Sequence, residues 1–341
     1  MASRPESEGG SFLEAVGSLF GTGPKIARPA WSAYGKLPLY KDFLRHGLAA
    51  PEAQSFRQWL DRGFSRHWDE DETCHAHPIS PHAFSLSFDG LARRVTGCLW
   101  GSHDHGELRR FPFTLFVSLP AGGGHGDLSV LRALEDVAQG ATDLRRSLDV
   151  SPDVQTFYHR LREGALNLRL ERDKTLVARL EKEMQGTSIR VFAESLYGEQ
   201  AATLWPALLA YLERRRAAAR SRGRDAATPP LACRLPVSLL LPVLLQAEFW
   251  SALILGTGAR GKEPLNVLLP WRGADPEGGI LILERNLRPD DVFVFHPAPP
   301  HYDFLEDLRR AVPGAAGSPQ PMSGEDWNAP LSSLLQKDAK G

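Results

Sequence analysis

Four stretches of the sequence hold residue types and spacings that could do chemistry. In "GTGARG", Gly256, Gly258 and Gly261 match the glycine spacing of a dinucleotide-binding turn. That turn needs a strand before it and a helix after it, so that the pyrophosphate meets helix N–H groups. Here Phe249, Trp250, Leu253 and Ile254 recur at helical spacing ahead of it, and the following residues read as a strand. Asp275 and Glu277 also come too early for the acid that would hold a ribose. The stretch reads as a helix C-cap and a loop. Gly35-Lys36 is a phosphate-loop pair only if a glycine stands five positions upstream and a hydroxyl follows the lysine. Ala30 and Leu37 occupy those positions. Cys74, His75 and His77, with His82 nearby, and His103 and His105 around Asp104 are zinc-ligand types at short spacing. Neither group has a second paired set at finger spacing, so both read as loop histidines, and neither a metal nor a cofactor is expected. A metal-dependent hydrolase using His75, His77, His103, His105 and Asp104 is the alternative. No G-x-S-x-G elbow occurs. Arg214, Arg215, Arg216, Arg220, Arg222 and Arg224 form a basic run at a predicted helix end, where cations complement the dipole.

The elements around these residues are legible from their periods. In "PEAQSFRQWLDRGFSRHW", Pro51 suits a first helical turn, and Phe56, Trp59, Leu60, Phe64 and Trp68 recur at three and four. "AFSLSFDG" then alternates Phe84, Leu86 and Phe88, and Asp89-Gly90 is a hairpin dipeptide. "RRVTGCLWGS" is read as the partner strand, and "RFPFTLFVSLP" as a third with Phe111, Phe113, Leu115 and Val117 on one face. "LSVLRALEDVAQGATDLRRSL" is a helix, and Ser151-Pro152-Asp153 opens a helical stretch expected to reach Met184 with a weak point at Gly164. Short helices are expected over "SIRVFAESLYG" and "LWPALLAYLERRRAAARSRGR". Strand character returns at 264–271 and 279–287, with an edge strand expected over 291–297 and a closing helix over "HYDFLEDLRRAV". These strands suggest one α/β body with an antiparallel or mixed sheet.

Composition excludes several classes. The 341 residues are 42% hydrophobic and 24% charged, with a formal net charge of −1. No global basic field exists to attract nucleic acid or an anionic membrane. Three scattered cysteines make no disulfide framework, which suits a reducing cytoplasm. The first residues lack the apolar core of a secretory signal. The apolar run 235–255 approaches membrane-spanning length, but Pro242, Gln246 and Glu248 interrupt it, so a buried core segment is expected.

One stretch goes further. "YGKLPLYKDFLRHGL" resembles the opening signature of the TagF (ImpM) family of type VI secretion accessory proteins, in which a Gly-Lys-Leu-Pro turn precedes a Gly-Asp-Phe triplet and a basic stretch. Gly35, Lys36, Leu37, Pro38, Asp42 and Phe43 match, and Lys41 stands where the family has glycine. A second block, "SHDHGELRRFPFTLF", is similar to the family's Ser-x-Asp-x-x-Gly-Arg-x-Phe-Pro-Leu pattern through Ser102, Asp104, Phe111 and Pro112. Leu108-Arg109 replaces Gly-Arg there, with Arg110 next to it. "RLPV…QAEFW" at 234–250 is a third, weaker echo.

The resemblance implies a three-layer α/β/α-type body and a cytoplasmic accessory protein, not an enzyme. It would repress the secretion machine post-translationally through protein contacts, forkhead-associated (Fha) proteins among them. A structural adaptor of the apparatus is the alternative. The expected organisation is a mobile tail over 1–29, one domain over 30–312 and a mobile tail over 313–341. The domain divides into an N-terminal sheet and helices over 30–150, a helical part over 151–230, and late strands with a closing helix over 231–312. The candidate partner-binding residues are Gly35, Lys36, Pro38, Asp42, Phe43, Ser102, Asp104, Arg109, Arg110, Phe111 and Pro112. Within them Lys36, Asp42, Asp104 and Arg110 are expected to tie two loops together at one end of the sheet.

Overall fold

The computed structural model describes residues 25–68, 79–106, 110–120, 127–151, 153–221, 232–255, 265–271, 279–295, 305–309 and 322–336. Three short strands come first: β1 Lys25–Ala27, β2 Ser32–Gly35 and β3 Leu44–His46. Helix α1, Pro51–Trp68, leads to β4 His82–Ser87, β5 Arg93–Trp100 and β6 Phe113–Pro120. Helices α2 Asp127–Asp149 and α3 Val154–Glu163 follow, then β7 Leu168–Leu170. Next come α4 Asp173–Met184, α5 Ile189–Tyr197 and α6 Ala201–Ser221. The chain returns to the sheet through β8 Ala232–Leu235, α7 Val243–Leu255, β9 Leu265–Pro270, β10 Ile280–Glu284 and β11 Glu306–Asp307. The last described elements are α8 Gly324–Asn328 and α9 Ser333–Gln336.

Among the described residues, nine strands form one sheet in the order β11-β8-β10-β9-β4-β5-β6-β2-β3. Every pairing is antiparallel except β11 with β8, so the sheet is mixed and largely antiparallel, as expected. Alternation along the strands sends side chains to two cores. Ala83, Cys98, Phe113, Leu115 and Val117 face one side, where α2, α4, α5, α6 and α7 pack. Phe84, Leu86, Val95, Leu99 and Phe116 face the other, where Phe56, Trp59, Leu60 and Phe64 of α1 cover them. The body is therefore layered α/β/α. Phe111 departs from the expected alternation and joins the α1 side, because it lies outside the strand that begins at Phe113.

Buried polar residues pin these layers. Arg94 of β5 is 2% exposed. It donates across β4 to the Ser85 carbonyl and hydroxyl, each at 3.1 Å, and to the Leu265 carbonyl of β9. Its guanidinium also pairs with Asp127 at the start of α2. In α7 the amide and the carboxylate that interrupt the apolar run each have partners. Gln246 is fully buried and hydrogen-bonded, and Glu248 pairs with Arg132 at 3.3 Å. Among the described residues no helix is long and apolar enough to cross a membrane.

Five expectations are corrected. The helical stretch 151–184 is interrupted by β7, where Leu168 and Leu170 point inward and Arg169 outward. That period of two lets it pair with β1, so residues 25–27, expected in the mobile tail, are a strand. Residues 289–295 form a 3-10 helix instead of an edge strand. Asp291 causes this: its carboxylate accepts the Arg288 N–H at 2.6 Å and grips the Arg285 guanidinium, drawing the chain into a local turn despite its β-prone side chains. Residues 306–307 are a strand where a closing helix was expected, since the outer edge of β8 needs a partner, and Leu308 N–H bonds the Arg234 carbonyl at 2.9 Å. The mobile C-terminal tail does not extend through 322–336. Leu331, Leu334 and Leu335 are buried in the larger core, and Leu331 N–H and Ile189 N–H exchange bonds with Thr187 and Ala329 carbonyls at 2.7 and 3.0 Å.

Candidate functional site

The two sequence blocks singled out above meet at the β2–β3 end of the sheet. The chain leaves β2 at Gly35, whose φ is +130°. A Cβ there would sit 2.0 Å from the Pro112 carbonyl oxygen, so glycine is required both by backbone conformation and by close approach. Lys36 follows and turns inward. Its Nζ lies 2.9 Å from Asp104 Oδ2, with the two side chains 2% and 3% exposed. The ammonium also sits 5.0 Å from the centre of the Phe43 ring. Backbone contacts reinforce this clamp. His105 N–H donates to the Tyr40 carbonyl at 3.0 Å. His105 Nδ1 lies 3.2 Å from the Pro38 carbonyl, as a donor when that nitrogen carries the proton. The 102–111 loop closes on itself, with Phe111 N–H donating to the Ser102 carbonyl at 3.1 Å and a bridge between His103 and Arg110.

An aromatic cluster backs the clamp. Phe43 stacks on Tyr34 at 5.6 Å and meets Phe111 edge-on at 4.8 Å. Phe64 of α1 closes on Phe111 at 5.3 Å. Tyr34 Oη donates to Asp61 Oδ1, and Arg57, one turn before Asp61 on α1, pairs with that carboxylate at 3.3 Å and lies over the Tyr34 ring. Burial, then the Asp61 hydrogen bond and charge, hold the Tyr34 phenol well above its ordinary range. Tyr34 is therefore a neutral donor at any physiological pH, not a proton-transfer group.

The structure thus gathers Gly35, Lys36, Phe43, Ser102, Asp104, Phe111 and Pro112. Pro38 is exposed at the turn, and Arg110 is exposed on the second loop. Asp42 does not join the cluster. It is exposed, and its carboxylate accepts the N–H of its own neighbour Phe43 at 2.7 Å. It shapes a turn, and the tie expected of it is made by Lys36 and Asp104. Arg109 lies outside the described residues. Sequence reasoning missed Tyr34, Arg57 and Asp61. The i,i+4 spacing of Arg57 and Asp61 on the same helix as Phe64 was the available signal.

The other chemical candidates separate. Cys74, His75 and His77, the "GTGARG" stretch, and Arg222 and Arg224 lie outside the described residues. His82 is buried at the start of β4, its Nδ1 2.7 Å from the Ser80 carbonyl, and burial pushes its pKa down to about 4. Among the described residues no group of three or more His, Cys, Asp or Glu side chains could hold a metal ion. Arg215 of the basic run pairs with Glu306 of β11.

Residues 32–163, from β2 to the end of α3, match the TagF N-terminal domain, type VI secretion system-associated. This segment is similar to a TagF N-terminal domain. Both motif loops of the clamp lie inside it, and the sheet continues beyond it through β9, β10, β8 and β11. A crystal structure of PA0076 from Pseudomonas aeruginosa PAO1 is similar at 24% identity, over 41% of this chain and 65% of that chain, with a TM-score of 0.32. The match thus spans less than two thirds of that chain. No curated protein matches the chain.

Proposed function

We propose that the protein is a cytoplasmic, non-catalytic accessory protein of a type VI secretion system that represses it post-translationally by binding other components. A forkhead-associated (Fha) protein is the expected partner type. The observation that supports this reading best is the buried Lys36–Asp104 pair within the TagF domain. The polar groups that could have done chemistry there are committed to each other, and Tyr34 is committed to Asp61. What remains on the outside is a fixed turn displaying Leu39 and the exposed Lys41 and Asp42. A turn held in one conformation loses little freedom on binding, which favours a contact surface.

Deleting the gene tests the reading. Secretion by the system should rise in the deletion strain and fall on overexpression. Lys36→Met, at matched protein level, should mimic the deletion in part. Loss of secretion on deletion would instead favour a structural adaptor. Fractionation of the host tests the cytoplasmic assignment.

A further inference from the structure

A second surface lies on the opposite side of the sheet from α1, between β8 and α7. Leu239 and Leu240 stand there side by side in solvent, 86% and 51% exposed. Exposed leucines at a loop tip usually fold back when the loop can move. This loop is held in place by a side chain that reaches it from the core. Gln246, fully buried in the first turn of α7, accepts the Ser238 N–H at 2.8 Å and donates to the Ser238 and Leu241 carbonyls at 2.7 and 2.6 Å. Ser238 Oγ accepts the Leu240 N–H at 3.0 Å and meets Ser195 Oγ of α5 at 2.6 Å. The two leucines are therefore presented, with their backbone prearranged.

The patch extends onto α5. Val191 is 49% exposed and lies four residues before Ser195, hence on the face of α5 that meets the loop. The exposed charges on α5, just beyond it and on α8 are mostly acidic. Glu194 and Glu199 are exposed on α5 and just beyond it, and Glu325 and Asp326 are exposed on α8, which packs against α5. Arg190 is the basic residue on the same helix. An apolar knob with an acidic rim is mismatched to an anionic bilayer and to an identical acidic copy. It fits a pocket lined by apolar side chains and edged by Lys or Arg.

We propose that Leu239, Leu240 and Val191 form a docking knob for a protein partner whose apolar pocket has a basic rim. This surface is separate from the Lys36–Asp104 clamp and does not depend on the regulatory reading.

The test places benzoyl-phenylalanine at position 239 of the intact chain in its host, with position 150, an apolar residue 72% exposed, as the control. Irradiation should give a discrete adduct from 239 and none from 150. The purified adducted protein is then titrated calorimetrically against wild type and L239S/L240S. The double variant should keep the wild-type melting profile, because both side chains are exposed, and bind at least tenfold more weakly. Raising the salt should weaken wild-type binding. Four outcomes overturn the proposal: no adduct at 239, an adduct of twice the chain's own mass, unchanged affinity of L239S/L240S, or co-sedimentation of the wild type with phosphatidylserine vesicles that the double variant loses.

Discussion

Replacing Lys36 by methionine tests the clamp directly. Lys36 Nζ and Asp104 Oδ2 are 2.9 Å apart and their side chains are 2% and 3% exposed, so water cannot substitute for either partner. At that separation and an effective dielectric of about 20, the attraction is about 6 kcal/mol. Desolvating each ion opposes it by several kcal/mol, which leaves the intact pair near neutral in net stability. Removing one partner is different, because it takes the counter-ion from a charge that stays buried. Methionine keeps the length and apolar stem of the lysine, so the lost charge dominates. Lys36→Met is expected to cost about 3–5 kcal/mol, read as a lower denaturant midpoint at unchanged slope. Adding Asp104→Asn removes the buried charge that lost its counter-ion, so the double variant should be more stable than the sum of the single costs implies, by more than about 1 kcal/mol. Hydrogen exchange should localise the effect. The His105 and Phe111 amides, which close the second loop, should exchange faster in Lys36→Met while the amides of β5 and β6 hold. A cost below about 1 kcal/mol, the range of a solvent-exposed pair, or strictly additive costs in the double variant, would refute the buried clamp.

Two buried groups should tilt the pH dependence of stability in opposite senses. Burial pushes the Glu248 carboxyl from its ordinary 4.5 up to about 7, against the pull of Arg132. Between those values the folded state holds a proton that the unfolded state has lost, so stability falls as pH rises through the window, by about 3 kcal/mol. His82, lowered by burial from 6.5 to about 4, does the reverse. The unfolded state takes up the proton first, and about 3 kcal/mol is lost as pH falls through that window. Relative to wild type, Glu248→Gln should gain as pH rises through its window and His82→Gln should gain as pH falls through its own. Denaturation curves at four pH values check both, and parallel offsets at every pH would contradict them. Gly35→Ala should cost about 2 kcal/mol or more, from positive φ and the overlap with Pro112; a melting temperature equal to wild type would contradict it. Leu331→Ala should cost about 2–5 kcal/mol, since Leu331 is fully buried in the main core. A cost near zero would mean that 322–336 contributes nothing to the fold.

What was legible beforehand follows from how local each signal is. The period-2 runs of β4, β5 and β6 and the amphipathic stripe of α1 announce themselves within one element, and each folds as its pattern dictates. The errors fall where the deciding contact comes from elsewhere. β7 is three residues long, and pairing with β1 stabilises it across more than a hundred positions. The Val-Phe-Val-Phe run at 292–295 has strand propensity, but Asp291 and its two basic neighbours decide its conformation. The clamp carries the same lesson within a single motif. Asp42 and Asp104 both stand in short polar loops, and nothing in residue type says which becomes buried. Geometry decides it. Gly35, forced to positive φ beside Pro112, aims the next side chain inward, and the 102–111 loop folds back on the turn and brings Asp104 to meet it. Asp42 sits past the turn, where its nearest donor is the N–H of Phe43. Lys36 therefore meets Asp104 once β2 and β6 have paired, and the ion pair is a consequence of the sheet register (Gly35 opposite Phe113), not a local property of either motif.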